Sequence, residues 1–175
     1  AAESNAKEVV LEMGGKNPCV VMEDAENLDA VAAHIVNGAF WNMGENCSAI
    51  SRLIVHHDVK DALLDRIEAH AREWPLGDPL DPETRLGAMV SKAHFDKVSG
   101  YLEGAPKAVI GGGTQGGAFV EATVLELPSN THTLARDEIF GPVLSVIAVS
   151  SFEEAIAVAN DTDYGLCASI FTANG

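Results

Sequence analysis

Basic residues are scarce in this chain: Lys and Arg total 11 against 26 Asp and Glu in 175 residues, a formal charge of −15. So acidic a surface is repelled by nucleic-acid phosphates and anionic membranes, and neither partner is expected. No run of about 18 consecutive apolar residues exists, and the first residues lack the basic and apolar regions of a signal peptide. The cysteines are few, odd in number and widely spaced (Cys19, Cys47, Cys167), with no CxxC. That usage fits reduced thiols in the cytoplasm rather than a disulfide framework. The histidines contain no HExxH, and His56-His57, as adjacent strand-end residues, are expected to point to opposite faces, so no metal is predicted.

What is present suits a compact protein. Apolar residues make up 47% and charged residues 21%, an ordinary globular balance, and the length suits one domain with a proper core. The chain opens on Ala1-Ala2-Glu3 without Met and stops just after a strand-like run, so a piece of a longer protein is expected.

Val9-Val10-Leu11 and Cys19-Val20-Val21-Met22 read as two buried strands around a tight turn at Gly14-Gly15, with Glu12 on that turn. Helical spacing runs from Leu28 through Val31, Ile35 and Phe40, with Asp24 or Asn27 as cap and an end near Gly44. Leu53-Ile54-Val55 is a strand, followed by a helix capped by Asp58 that Pro75 and Gly77 stop. Ser91 caps a helix carrying Phe95, Val98 and Leu102 that ends at Gly104. Further strands are read at Ala108–Ile110, within Phe119–Leu127, at Val143–Val149 and at Ala168–Phe171, with a short helix over Phe152–Ala159. Alternating strands and helices predict an α/β fold, a largely parallel sheet flanked by helices.

Gly111-Gly112-Gly113-Thr114-Gln115-Gly116 satisfies the dinucleotide fingerprint, but an extended segment follows where the phosphate mechanism needs a helix N-terminus, so a flexible turn is preferred. Cys19 and Cys167 lie in apolar strand patterns and read as core thiols. Cys47 instead follows the polar turn Asn42-Met43-Gly44-Glu45-Asn46, where backbone amides can face a substrate oxygen. A thiol nucleophile and the carboxylate of Glu12 in one chain suggest covalent thiol chemistry completed by water. Taken singly, Cys47 is as readily a packed thiol, Glu12 a solvated carboxylate and Glu138 a loop charge.

The motifs in combination are more specific. Leu11-Glu12-Met13-Gly14-Gly15-Lys16-Asn17-Pro18, then Phe40-Trp41-Asn42-Met43-Gly44-Glu45-Asn46-Cys47, then Glu138-Ile139-Phe140-Gly141-Pro142-Val143, then Asn160 with Tyr164-Gly165-Leu166, resemble the NAD(P)-dependent aldehyde dehydrogenase superfamily in order and spacing. The resemblance implies that Cys47 adds to the aldehyde carbon to give a thiohemiacetal and, after hydride loss, a thioester. Glu12 would draw a proton from the water that hydrolyses it. Glu138 would bind the nicotinamide-side ribose of NAD or NADP, Phe140 would wall the nicotinamide and Leu166 would lie near the same ring. Trp41 and Asn46 would shape the aldehyde pocket.

By the same resemblance, residues 1–175 are a catalytic domain truncated at both ends. The dinucleotide-binding domain and oligomerisation segments lie elsewhere in a parent that forms homodimers or homotetramers, and the isolated piece is expected to be inactive. Two departures stand out: Glu45 where many members carry Gln, which places negative charge near the thiol, and Met13 where many carry Leu. Rival readings are a noncatalytic module with a packed cysteine, and an acylating branch that passes the thioester to coenzyme A; a water-activating Glu12 is not needed by the latter.

Overall fold

The computed structural model describes residue 3 and residues 5–174. Strand β1 spans Asn17–Val21 and leads to helix α1, Leu28–Phe40. Asn27 caps α1 from left-handed backbone (φ 49°), its side-chain oxygen accepting from the Ala30 N–H, a conformation asparagine tolerates better than most residues. Val31, Ala32, Ile35, Val36, Ala39 and Phe40 form the buried stripe that helical spacing anticipates. Strand β2, Ile50–His56, runs directly into helix α2, His57–Ala71. Because no turn separates them, the cap is His56 rather than Asp58: His56 Nδ1 accepts from the Asp58 N–H.

Helix α3, Lys92–Glu103, is capped by Ser91 and ends at Gly104. A two-stranded hairpin, β3 (Thr114–Gln115) and β4 (Phe119–Val120), precedes β5, Thr123–Glu126. One turn of helix, α4 (Thr133–Arg136), leads to β6, Val143–Val149, then α5, Phe152–Asn160, and β7, Ser169–Phe171.

The main sheet has the order β5, β6, β2, β1, β7, with every neighbouring pair parallel. Alternate strand residues serve opposite faces. Cys19, Val21, Leu53, Val55, Leu144 and Val146 pack with α1 and α2, while Val20, Ile54 and Val149 meet Ala155 of α5. The fold is therefore α/β with a parallel sheet covered by helices, the expected class.

Several local expectations are corrected. Val9-Val10-Leu11 forms no strand and is 48%, 85% and 70% exposed, pairing with none of the described strands. Ala108–Ile110 contributes one antiparallel bridge, Ile110 to Val124, rather than a strand. Helix α1 stops at Phe40, since Asn42, Met43 and Gly44 are all left-handed (φ 53°, 56° and 67°). Cys167 lies before β7 and is exposed, not a core thiol. The glycine run at 111–117 leads into and turns the hairpin, with no helix behind it, as expected. His56 and His57 do not diverge: their ring centroids are 4.4 Å apart, because the second residue already belongs to α2. With Asp58 they place ligand atoms within 4.8 Å of one another, but both His56 nitrogens are engaged, Nδ1 by the Asp58 N–H and Nε2 by the Ser150 carbonyl.

Candidate active site

Each motif segment enters a strand at its amino end: Gly14-Gly15 before β1, Cys47 before β2, Glu138–Pro142 before β6 and Tyr164–Cys167 before β7. Those strands are spatial neighbours in the order β6, β2, β1, β7. Parallel pairing thus lays four segments, distant in sequence, along one edge of the sheet. Glycines let them touch. A methyl group at Gly15 would stand 2.6 Å from the Cys47 carbonyl oxygen, and one at Gly14 would stand 2.5 Å from a Glu138 carboxylate oxygen. Another at Gly44 would run into the Gly141 carbonyl.

Polar contacts tie the same segments together. The Gly15 N–H donates to Glu138 Oε1 at 2.9 Å. Asn17, almost fully buried, donates from Nδ2 to the carbonyls of Cys47 (2.8 Å) and Ala49 (2.9 Å), and its Oδ1 accepts from the Cys167 N–H at 3.1 Å. One buried amide therefore fixes the Cys47 turn against β1 and the chain entering β7, satisfying its own polar atoms.

The turn before Cys47 is strained. Left-handed backbone costs roughly 1–2 kcal/mol for a residue with a side chain, and Asn42 and Met43 both adopt it. The Asn42 side chain donates to the Glu45 carbonyl (3.0 Å), and Glu45 Oε1 accepts from the Val90 N–H (3.0 Å), which holds the turn closed. Cys47 itself is half-buried, outside the packed clusters, with its Sγ 3.8 Å from Asn46 Oδ1. Asn46 Oδ1 also accepts from the Ser48 N–H and hydroxyl, at 3.2 and 3.1 Å.

Glu138 and Phe140 are half-buried and line, with Gly15 and Asn46, a small hollow of about 20 Å³. Leu166 is exposed on a separate cleft of about 290 Å³ that it shares with Lys16, Asn17, Asn160, Tyr164 and Cys167. Trp41 is 58% exposed at the turn's start. Glu12 is the least constrained: its carboxylate is exposed and bonded to no other described residue. Three residues of extended chain span at most about 11 Å, which keeps Glu12 near Gly15 without aiming it at Cys47.

Two basic residues adjoining these segments are buried. Arg52 is fully buried and donates to the Lys16 carbonyl (3.0 Å), Asn130 Oδ1 (2.9 Å), and the Val158 and Ala159 carbonyls (3.0 and 2.8 Å). Burial, with Arg136 adding to it, lowers its pKa to about 10. Lys16 is 1% exposed, and its Nζ has no hydrogen-bond partner among the described residues. Burial and then Arg52 lower it to about 7, against the opposing pull of Asp137 and Glu138. Sequence reasoning assigned no role to Asn17 or Arg52, and placed Cys167 in the core rather than at this junction. A signal existed for Arg52: a cation inside an apolar strand run must find partners in the core.

An α/β domain that gathers a thiol, a carboxylate-bearing loop and a glycine turn at the amino edge of a parallel sheet is a distinctive class. The chain belongs to the aldehyde dehydrogenase family, whose model matches residues 1–175. It is 62% identical over 176 residues to an aminoacetaldehyde dehydrogenase of Pseudomonas aeruginosa, covering 98% of this chain and 36% of that protein. A betaine aldehyde dehydrogenase of Cereibacter sphaeroides is 41% identical over 180 residues, covering 99% and 37%. Among solved structures, a gamma-glutamyl-gamma-aminobutyraldehyde dehydrogenase from Burkholderia cenocepacia superposes with a TM-score of 0.91 at 45% identity, covering 99% of this chain and 36% of that one. An indole-3-acetaldehyde dehydrogenase solved with NAD⁺ gives 0.91 at 42% identity, covering 99% and 37%. The chain spans a little over a third of the length of these relatives. Among the described residues, no helix is long and apolar enough to cross a membrane.

Proposed function

We propose that this chain carries the nucleophile and part of the cofactor site of an enzyme that oxidises an aldehyde to a carboxylic acid with NAD or NADP. The observation that carries the reading is the junction itself, where backbone contacts through Gly14, Gly15 and Gly44 join the Glu12 segment, the Cys47 turn and the Glu138–Gly141 loop. A packed, noncatalytic cysteine would sit within the core clusters, and Cys47 does not.

Cys47 attacks the carbonyl carbon to give a thiohemiacetal, whose oxygen is held by amide groups at the turn. A nicotinamide cofactor bound here would supply the two-electron acceptor that leaves this carbon as a Cys47 thioester. Glu138 and Phe140 fit such a group: Gly14 leaves room for the Glu138 carboxylate, and one of its oxygens, already held by the Gly15 N–H, keeps the other available for ribose hydroxyls. Leu166 supplies apolar surface across the neighbouring cleft, and Trp41 with Asn46 borders the aldehyde's approach. Glu12 then takes a proton from water, and the resulting attack releases the acid and frees the thiol.

On this reading residues 1–175 are part of a catalytic domain, the dinucleotide-binding domain lies outside them, and the complete polypeptide assembles as a homodimer or homotetramer. The similarity to an aminoacetaldehyde dehydrogenase puts small amino aldehydes first among substrates. The test is a panel of aldehydes with NAD and NADP, on the full-length polypeptide containing this sequence and on its Cys47→Ala variant. Acid production coupled to cofactor reduction, lost in the variant, is expected. Equal activity in the variant defeats the assignment.

A further inference from the structure

We propose that helix α3 sets the position of the loop at 137–141, and that His94, through the Phe140 carbonyl, is the positioning residue on its face. The inference rests on the functional reading above, which makes 137–141 a cofactor loop. Residues 94, 97, 98 and 101 recur at i, i+3, i+4 and i+7 and so share one helix face. Each meets the loop. His94 Nε2 lies 2.6 Å from the Phe140 carbonyl oxygen, and Lys97 Nζ donates to the Glu138 carbonyl at 3.0 Å. A methyl group at Gly141 would stand 3.0 Å from Val98, and the Tyr101 hydroxyl donates to Asp137 Oδ2 at 2.9 Å.

A carbonyl oxygen only accepts, so the His94 proton facing Phe140 is on Nε2. The same nitrogen lies 3.5 Å from Glu45 Oε1, whose side chain is only 7% exposed. One imidazole N–H therefore faces an oxygen from the cofactor loop and an oxygen from the turn that carries Cys47. The His94 and Phe140 rings also meet edge to face, with centroids 5.9 Å apart.

Phe140 needs such a grip. Its φ is 61°, a left-handed conformation that a bulky side chain leaves unless its surroundings hold it. Fixing its carbonyl fixes the peptide plane, and with it where the Phe140 ring and the Glu138 carboxylate stand. Glu45 Oε1, two residues before the thiol in sequence, approaches His94 Nε2 at 3.5 Å, a longer contact than the 2.6 Å to Phe140, so the loop is where loss of His94 is felt.

The experiment uses the full-length polypeptide and compares His94→Leu, which removes the N–H, with His94→Gln, which offers an amide N–H in its place. Loss of one hydrogen bond to the loop, about 1–2 kcal/mol, corresponds to a rise of about 5- to 30-fold in KM for the reducible cofactor. In His94→Leu that rise is expected with KM for aldehyde and the rate of Cys47 alkylation within about twofold of the unmodified protein, and His94→Gln restores most of it. A lowered melting temperature with unchanged cofactor KM, or equal defects in both variants, overturns the proposal. If His94→Leu does not fold, Tyr101→Phe replaces it, with the same selective rise in cofactor KM expected at about two- to fivefold; an unchanged value again overturns it. An unmodified protein that oxidises no aldehyde with either cofactor sinks the functional reading and this inference with it. An active protein indifferent to His94→Leu sinks this inference alone.

Discussion

At the scale of single residues, Lys16 is the group whose environment most opposes its charge. Its ammonium is buried beside the fully buried Arg52, and its pKa falls from 10.5 to about 7. The unfolded chain therefore holds a proton on this side chain that the folded chain has lost between pH 7 and 10.5. Stability rises with pH wherever the unfolded state binds more protons. Cys19 opposes this only from pH 9 upward, because burial raises its pKa from 9.0 to about 11 and the unfolded thiol ionises first. Between pH 7 and 9, urea unfolding of the chain is expected to show stability increasing by at most about 1.4 kcal/mol per pH unit from this residue. Lys16→Met removes that rise and stabilises the fold below pH 7. A slope that Lys16→Met leaves unchanged rules the account out. Glu12 poses a different question, since its carboxylate is exposed and unbonded to other described residues. If its work is to activate water, Glu12→Gln in the full-length polypeptide gives one rapid turnover of cofactor reduction and then stalls with acylated Cys47, which mass spectrometry of the quenched enzyme detects. Full steady turnover in that variant assigns the base elsewhere.

Among elements, the interlock of turns matters more than any one helix. Gly44 is left-handed at φ 67° and its α-carbon lies against the Gly141 carbonyl. Gly44→Ala meets both obstacles at once and is expected to cost about 2 kcal/mol or more in denaturant unfolding, with a larger proportional loss of cofactor-dependent activity than a surface mutation of equal cost. Equal losses in the two detach the turn from the site. The same elements show what could be read in advance. Val143–Val149 and the stripe on α1 were legible because apolar period alone specifies a buried strand or an amphipathic helix. The ordered motifs around Glu12, Cys47 and Glu138 made the family legible. Pairing was not: Val9-Val10-Leu11 has the composition of a strand, yet a strand exists only where a neighbour offers hydrogen bonds, and composition does not report neighbours. His56 displaced Asp58 as cap for a similar reason, because the cap depends on where the preceding strand releases the chain. The role of α3 was hidden because His94, Lys97 and Tyr101 bond to backbone carbonyls and a loop carboxylate nearly 40 or more positions away.

For the whole molecule, the two edges of the sheet are unequal. At the β5 edge the Val109 N–H donates to the Val124 carbonyl at 2.9 Å, and the Val124 N–H donates to the Ile110 carbonyl at 3.0 Å, so neighbouring chain covers that side. The β7 edge has no such cover among the described residues: β7 pairs only with β1, and Ile170 is 47% exposed. Val10, Leu11 and Met13, at 85%, 70% and 57% exposed, add apolar surface close to the entry of β1. An open strand edge next to unpaired apolar chain is a template for association. The 175-residue chain is accordingly expected to self-associate as concentration rises, even though its charge of −15 opposes contact. Sedimentation velocity across a concentration series measures this. Ile170→Lys, which places a charge on the open edge, and a combined Val10→Asp and Leu11→Asp substitution should each shift the distribution toward monomer. Added salt should promote association in the unmodified chain by screening its net charge. A monomer at every concentration and ionic strength excludes the open edge as an adhesive surface. In the full-length polypeptide, where we expect further chain to cover these residues, the same substitutions should lower the unfolding midpoint instead of altering assembly of a free edge.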